Sequence, residues 1–317
     1  MKSNTKTEAL KESNHHDSVL FRESIEGLNI KSDGIYIDAT LGRGGHTKGI
    51  LDNLGKSGKV IAFDQYIDAI NYAKLNLTDS RLSLIHSNFS MLENEIIKLN
   101  LHGRIDGILM DLGISSPQID NAERGFSFNK DGALDMRMDQ TQKLTAAQWL
   151  KESSETEIAN ALYQYGEEKR SRIIASNIKK YQQNNDITTT LELANLIAKV
   201  VKPGKNKHPA TRTFQAIRIV VNDELIKLSQ VLEQTISTLS GNGRLAVITF
   251  HSLEDRIVKQ FIHKYSRHKA VPRGLPIPNN QQEKLILKDL SKIKPSSEEL
   301  HTNRRSRSAI LRLVEKC

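Results

Sequence analysis

One short segment limits the fold of this chain more than any other: residues 36–47, with the sequence YIDATLGRGGHT. An apolar strand pattern ends there in an acid and continues into a glycine turn that precedes a helical pattern. Gly42, Gly44 and Gly45 allow the backbone to adopt positive φ angles and to approach a ligand closely. A dinucleotide-binding turn carries a further glycine where this chain has Thr47, so the turn favours an adenosine cofactor without a pyrophosphate, such as S-adenosylmethionine.

The pattern around this turn alternates short apolar runs with amphipathic segments. Strand-like runs cover residues 34–38, 59–64, 82–86 and 105–111, and residues 68–77 repeat their apolar side chains at helical spacing. Such alternation is typical of a parallel sheet with crossover helices. The first part of the chain is therefore predicted to be a doubly wound α/β fold.

The middle of the chain has a different pattern. Between residues 145 and 201 the apolar side chains recur every three or four positions, without a strand-like run. A helix is predicted over 214–239 and a returning strand over 244–250, so the helical block is an insertion within the α/β domain. The tail from residue 266 is predicted to be a loop over the sheet closed by a final hairpin. We assign residues 1–130 and 211–317 to the discontinuous α/β domain and residues 131–210 to an all-helical insertion.

Polar side chains follow the predicted strands at the sheet edge where open α/β folds bind ligands. Asp64 lies 20 residues beyond Gly44, the spacing of an acid that binds ribose hydroxyls, and Phe89 would border an adenine. The fourth strand delivers Asp111 into MDLGISSPQ, and the strand over 244–250 delivers His251 into TFHSLEDR. The histidines do not combine with a cysteine at metal-ligand spacing, so we predict no metal site.

Charge and composition limit the kinds of partner that the protein can bind and the cellular compartment in which it is expected. The formal net charge is +9, which favours an anionic partner such as nucleic acid. The only cysteine is Cys317, so we expect neither a disulfide framework nor a thiol nucleophile within the fold. No run approaches the roughly 18 apolar residues of a membrane span, and the first residues lack the apolar core of a signal peptide. We therefore expect a cytoplasmic protein without a membrane partner.

Six motifs, in order, give the chain a family resemblance over residues 15–315. They are YIDATLGRGGHT, MDLGISSPQ, AERGFSF, DMRMD, KHPATRTFQAIRI and TFHSLEDRIVK. Together they resemble the bacterial 16S ribosomal RNA (cytosine-N4)-methyltransferases, known as RsmH or MraW. The resemblance implies a class I (Rossmann-like) S-adenosylmethionine-dependent methyltransferase fold with a helical insertion. It implies methylation of the exocyclic N4 amine of cytidine 1402 in the decoding region of the small ribosomal subunit. The cofactor residues that it implies are Gly44, Gly45, His46, Asp64, Phe89, Asp111 and Gln118.

The chemistry of a cytosine amine suggests the remaining site residues. Its lone pair is delocalised into the ring, so an acceptor for the amine hydrogens is needed to orient it toward the methyl group. We predict that Asp111 with Ser115 and Ser116 supplies acceptors, and that His251 lies close enough to assist. For the RNA surface we predict Lys207, His208, Arg212, Arg267, Lys269, Arg304 and Arg305, with Lys202, Lys205, Arg273 and Arg307 as further candidates.

Three alternatives to this activity differ in the residues that they require. Methylation at carbon 5 of cytosine usually needs a cysteine, which only the terminal Cys317 could supply. A DNA amine methyltransferase would normally carry a Ser/Asp-Pro-Pro-aromatic motif, to which SSPQ is a distant relative. A ribosome-binding factor without catalysis would not need the intact glycine turn with Asp64 and Asp111. The sequence leaves the oligomeric state open, with a homodimer as one option, and also whether naked rRNA or an assembled subunit is the substrate.

Overall fold

The computed structural model describes residues 18–204, 208–268 and 284–317, and it describes Arg304 by its backbone alone. A sheet of seven strands forms the centre of the molecule. Its strands are β1 (Ile35–Asp38), β2 (Lys59–Asp64), β3 (Leu82–His86), β4 (Ile105–Asp111), β5 (Leu239–Thr249), β6 (Leu287–Ile293) and β7 (Ile310–Lys316).

The strand order is β3-β2-β1-β4-β5-β7-β6, and the first five strands of that order are parallel. β7 lies between β5 and β6 and runs antiparallel to both. Parallel strands with both faces covered are almost continuously apolar, as in β4, where Ile105, Ile108, Leu109 and Met110 are fully buried. The predicted α/β sheet is therefore confirmed, and the predicted hairpin corresponds to the antiparallel pair of β6 and β7.

Helices cover both faces of the sheet. The α-helices of the described residues are α1 (Phe21–Leu28), α2 (Gly45–Asn53), α3 (Ile67–Asn76), α4 (Leu92–Lys98), α5 (Ser116–Asp120), α6 (Ala146–Glu152), α7 (Glu155–Gly166), α8 (Ser171–Gln182), α9 (Thr190–Val200), α10 (Thr211–Asn222), α11 (Glu224–Thr238), α12 (Ser252–Ser266) and α13 (Ser297–Thr302). Of these, α4, α11 and α12 share one apolar core with the strands, while α1 and α2 pack on the opposite face.

The helices from α6 to α10 form a second core, separate from those of the sheet. Leu162, Ile178 and Ile197 are fully buried in it. This core also includes Phe214 and Ile217 of α10, so it extends beyond residue 210, where the sequence analysis ended the insertion.

The single helix predicted over 214–239 is two helices in the structure. The chain turns at Asp223, whose φ of 52° is left-handed, because α10 packs its apolar side in the helical core whereas α11 packs on the sheet. The preceding Asn222 is buried and ties the end of α10 to residues 136–138: its amide donates to the Met136 carbonyl at 2.8 Å and accepts from the Met138 N–H at 2.7 Å. Amphipathic spacing continues through Asp223, so it could not reveal this break.

Candidate active site

The glycine turn lies directly against the end of β2. Gly42 and Gly44 have φ angles of 53° and 76°, which strain any residue other than glycine. The Gly42 N–H donates to Asp64 Oδ2 at 2.8 Å, and the Leu41 N–H donates to the Phe63 carbonyl at 2.8 Å. The structure thus brings the predicted turn and the predicted ribose acid together.

Asp64 sits at the carboxyl end of β2 with its carboxylate between two backbone donors. The second donor is the Tyr66 N–H, 2.8 Å from Oδ1. Burial is the main cause that raises the pKa of Asp64 to about 6, and these two hydrogen bonds oppose it. A carboxylate at this place is suited to accept hydrogen bonds from a sugar.

A second carboxylate, Asp38, lies completely buried beneath the turn. It accepts from the Thr47 hydroxyl at 2.6 Å and from the Thr40 N–H at 3.1 Å. Burial raises its pKa, although the neighbouring His46 and both threonines oppose the rise. Asp38 was noted in the sequence only as a strand end, and Thr47 only as a missing glycine. Their pairing explains why a threonine occupies that position.

His46 connects the turn to the end of β4. Its Nε2 lies 3.2 Å from the Val19 carbonyl and its Nδ1 lies 3.7 Å from Asp111 Oδ2. Because a carbonyl can only accept, Nε2 carries the proton of the neutral ring. Burial, the largest influence, lowers the pKa of His46, and the charge of Asp38 opposes that effect. A neutral imidazole therefore faces Asp111 with its lone pair.

Asp111 is the third carboxyl group of the site. Its backbone N–H donates to Thr40 Oγ1 at 2.7 Å, and its Oδ1 is buried without a hydrogen-bond partner among the described residues. Burial, together with the charges of Asp38 and Glu254, raises the pKa of Asp111 to about 8. Without a neighbouring cation, this group is therefore mostly protonated at neutral pH.

The loop after β4 closes the site from the other side. Ser115 precedes α5, and both its N–H (2.9 Å) and its hydroxyl (3.1 Å) donate to Oε1 of the buried Gln118. Ser116 begins α5 and is half-buried. A small cavity of about 10 Å³ separates this loop from the glycine turn; it is lined by Gly42, Arg43, Tyr66, Asp68, Ala69, Ser115 and Pro117.

His251 follows β5 and caps α12. Its Nδ1 lies 3.5 Å from the Glu254 N–H, and its Nε2 lies 3.1 Å from Glu254 Oε1. Burial of Glu254 would raise its pKa, but His251, the charge of Arg218 and the Phe250 N–H lower it overall. His251 thus has a structural partner, and its catalytic role stays a prediction.

Phe89 lies beyond β3, at the start of a short 3-10 turn, and packs partly buried against the sheet core. The preceding Asn88 donates from its amide to Gln65 Oε1 at 2.5 Å, next to Asp64. Phe89 is therefore close to the end of β2, where the adenine border was predicted.

Two quoted motifs, AERGFSF and DMRMD, meet at a residue that the sequence analysis did not select. Arg124 is buried and donates from one terminal nitrogen to the carbonyls of Arg137 (2.5 Å) and Met138 (3.2 Å). Its guanidinium carbon stands 4.5 Å from the centre of the Tyr66 ring. Arg124 thus fixes the DMRMD segment against Tyr66, two residues after Asp64. Only the motifs themselves signalled it, because its partners are distant in sequence.

The predicted RNA residues that the structure describes lie on the surface. His208 stacks on Phe128 with ring centres 4.4 Å apart, and Arg212 is exposed at the start of α10. Arg267 is exposed after α12, and Arg305 lies 3.5 Å from Asp120 of α5, beside the site. Lys202 and Arg307 are exposed as well, whereas Lys205, Lys207, Lys269 and Arg273 fall outside the described residues, as does the Arg304 side chain.

In residues 18–204, 208–268 and 284–317, the acidic, histidine and cysteine side chains form no group that could hold a metal ion. Within the same ranges, every helix is too short or too polar to serve as a bilayer span.

Comparison with known proteins gives consistent matches over nearly the whole chain. The model of the MraW methylase family matches residues 13–317. The chain is 62% identical over 302 residues to ribosomal RNA small subunit methyltransferase H of Vesicomyosocius okutanii, with 95% of this chain and 98% of that protein covered. It is 50% identical to the protein of the same name from Shewanella woodyi, with 95% and 97% covered. A solved rRNA methylase structure from Streptococcus thermophilus aligns over 93% of this chain and 94% of its own, at 14% identity and a TM-score of 0.42.

Proposed function

Because the chain belongs to the MraW methylase family, we propose that it methylates the exocyclic N4 amine of cytidine 1402 in 16S rRNA. Its relatives are small-subunit rRNA methyltransferases, and the chain is an enzyme of that class, with S-adenosylmethionine as its cofactor. The nucleotide and the atom are the proposal. One observation carries it: the glycine turn, Asp64 and Asp111 meet at the carboxyl edge of the parallel strands.

The residues at this edge fit the cofactor in charge as well as in shape. Asp38, Asp64 and Asp111 are three carboxyl groups under one turn, and a buried Asp111 oxygen still lacks a partner among the described residues. Such a site favours a cation over an anion. When bound, the cofactor supplies a methyl group on a positively charged sulfur.

We assign the holding residues accordingly. Asp64 would accept hydrogen bonds from the ribose hydroxyls, and Phe89 would border the adenine. The methionine part would lie along the turn of Gly44, Gly45 and His46, between Asp111 and Gln118.

The protein groups at the end of β4 would then prepare the amine of the nucleobase. The carboxyl of Asp111 can accept an amine hydrogen and so direct the nitrogen lone pair toward the methyl group. The hydroxyl of Ser115 already donates to Gln118, so only its lone pairs remain, which suits a second acceptor. Holding the reacting atoms about 3–3.5 Å apart and in line accounts for several kcal/mol of the barrier. Ser116 and His251 stay predictions as neighbours that assist.

The alternative of carbon-5 methylation conflicts with the position of Cys317. β7 runs antiparallel to β5, and Lys316 near the end of β7 donates from Nζ to the carbonyl of Leu239, the first residue of β5, at 2.6 Å. The exposed Cys317 therefore lies at the amino edge of the parallel strands, opposite the glycine turn. Covalent attack on a base held at the carboxyl edge is out of its reach.

The test combines purified protein with labelled S-adenosylmethionine and with small ribosomal subunits that lack the modification. Such subunits are a substrate that a cytoplasmic enzyme would meet. We expect one methyl group per subunit, which mass spectrometry of nuclease fragments should assign to N4 of cytidine 1402. Subunits that already carry the modification are the matched control. Incorporation at another nucleotide would refute the proposed target, and no incorporation into these subunits or into naked 16S rRNA would refute the activity.

A further inference from the structure

We propose that one exposed face of α12, continued by the start of α10, docks the sugar-phosphate backbone of the substrate RNA. We call the set Arg212, Arg256, Lys259, His263 and Arg267 the basic ridge. Arg212 and Arg267 were candidates from sequence, whereas Arg256, Lys259 and His263 are assigned from the structure. The inference rests on the proposed function, since it concerns the same RNA.

The ridge begins at the active site. α12 starts at Ser252, directly after His251, and β5 ends at Thr249 on the edge that carries the turn and Asp111. Arg256 lies one helical turn into α12. An RNA chain with one nucleotide in the site would therefore pass over this helix on leaving it.

The exposed side chains of α12 follow one stripe along the helix. Arg256, Gln260, His263 and Arg267 are spaced by four, three and four residues, which places them within about 60° of one another around an ideal helix axis. Lys259 flanks the stripe, and all five residues are exposed. The stripe spans about 16 Å along the helix at 1.5 Å per residue.

The acids of α12 do not neutralise this face. Glu254 is buried at the active site, and Asp255 forms two hydrogen bonds with Arg312, of 2.7 and 3.1 Å. The fully exposed side chains among the described residues of this helix are thus neutral or basic. The helix thus presents several donors for phosphate oxygens and no exposed carboxylate of its own.

The surface along the helix is open to solvent. A shallow depression of about 360 Å³ is lined by Arg256, Lys259, Gln260, His263 and Lys264. Two of these cations have partners: Arg256 lies 3.5 Å from Glu167, and Lys264 lies 2.9 Å from Glu233. Both pairs are solvent-exposed, and exposed pairs contribute about 0–1 kcal/mol, so phosphate can replace the carboxylates.

The end of α7 connects α12 to α10. Arg256 reaches Glu167, which caps α7, and a Cβ placed on the neighbouring Gly166 would come within 2.6 Å of the Arg212 carbonyl oxygen. The Gln215 amide also donates to the Tyr165 carbonyl at 3.0 Å. Arg212 and Arg256 therefore adjoin the same helix end, which makes the ridge continuous across the two parts of the fold.

The experiment measures RNA binding as a function of salt. Its probe is a protein-free transcript of the decoding region of small-subunit rRNA. The test variant combines Arg256→Gln with Lys259→Gln. The control combines Lys56→Gln with Lys98→Gln, which removes the same charge from exposed lysines near the amino ends of β2 and β4. A charge-keeping variant, Arg256→Lys with Lys259→Arg, separates charge from shape.

Each lost phosphate contact should reduce the slope of log K against log salt by about 0.7 for single-stranded nucleic acid. We therefore expect the test variant to lose about 1.4 from the slope, which is about 25-fold in affinity at 0.1 M salt. The affinity for S-adenosylmethionine should be unchanged. The control should bind like the wild type, and the charge-keeping variant should retain most of the affinity.

An unchanged salt slope and an unchanged affinity in the test variant would overturn the proposal that the basic ridge binds RNA. So would weakened binding to assembled subunits without any effect on the transcript, because the face would then contact a ribosomal protein. Failure of the proposed function has a different signature. The wild type would then bind the transcript without methylating cytidine 1402, and the binding comparison would still decide the ridge.

Discussion

Replacement of Asp111 by asparagine should stabilise the folded protein and weaken its use of the cofactor. The pKa of the buried carboxyl is raised from 3.8 to about 8, mainly by burial and then by Asp38 and Glu254. Below about pH 4 the carboxyl is protonated in both the folded and the unfolded chain and carries no penalty. Between pH 4 and 8 only the unfolded chain gives up the proton, so the free energy of unfolding falls as pH rises.

The structure also sets the size of this effect. A shift of about four pKa units corresponds to roughly 6 kcal/mol at 1.36 kcal/mol per unit, which is an upper bound. A quarter of the Asp111 side chain is accessible to solvent, so we expect about half of this upper bound. Asp111→Asn should therefore raise the free energy of unfolding by about 3 kcal/mol at pH 9. At pH 5 the expected difference in unfolding free energy between the variant and the wild type is below about 1 kcal/mol. Asparagine keeps the shape of the protonated acid and cannot ionise.

Urea unfolding of the wild type and Asp111→Asn at pH 5 and pH 9 measures this difference. Asp52→Asn, an exposed carboxylate on α2, serves as the control and should show no comparable trend. A second readout is calorimetry in two buffers of different ionisation enthalpy. Wild-type protein should release a proton from Asp111 when the cationic cofactor binds at pH 7, and the variant should not. A stability difference that is independent of pH, or a destabilised variant at pH 9, would refute this account of Asp111.

Three further substitutions test the packing around the site by urea unfolding. Gly44→Ala should lower the free energy of unfolding by about 1–2 kcal/mol and weaken cofactor binding, because φ is 76° at this position. The control Gly241→Ala, with open space around its Cβ, should be nearly neutral. Equal effects of the two substitutions would contradict the role of the turn. Arg124→Met should cost about 2 kcal/mol by leaving two carbonyl groups without their donor, and an unchanged stability would show that water replaces it. Asn222→Leu should lower the free energy of unfolding by at least about 2 kcal/mol. Asn222→Asp should lie between Asn222→Leu and the wild type, because an acid keeps the acceptor but loses the donor. The reverse order would contradict the hydrogen bonds assigned to the amide.

The parts of the fold that follow from local pattern were predictable from sequence. The parallel strands are apolar runs, and the turn with Asp64 has a recognisable spacing. The break at Asp223 was not predictable, because the apolar spacing of α10 and α11 is continuous and only their different packing partners separate them. The roles of Arg124 and Asn222 were hidden for a related reason: each binds backbone groups of the 136–138 segment, and a backbone partner leaves no mark on sequence composition.

The three carboxyl groups also discriminate between classes of cofactor. Asp64 alone would serve any adenosine ligand, because every such ligand presents ribose hydroxyls. Asp38 and Asp111 are different, since burial raises the pKa of both carboxyl groups. Among the described residues, no cationic side chain forms an ion pair with either group at neutral pH, so the folded state carries the cost of burying them. A pyrophosphate would add two negative charges beside them, whereas a sulfonium would relieve the penalty. Thr47 leads to the same conclusion by another route. Its hydroxyl donates to Asp38 in the place where a dinucleotide turn carries a glycine, so the residue that departs from the dinucleotide pattern also holds one of the carboxyl groups that attract the sulfonium.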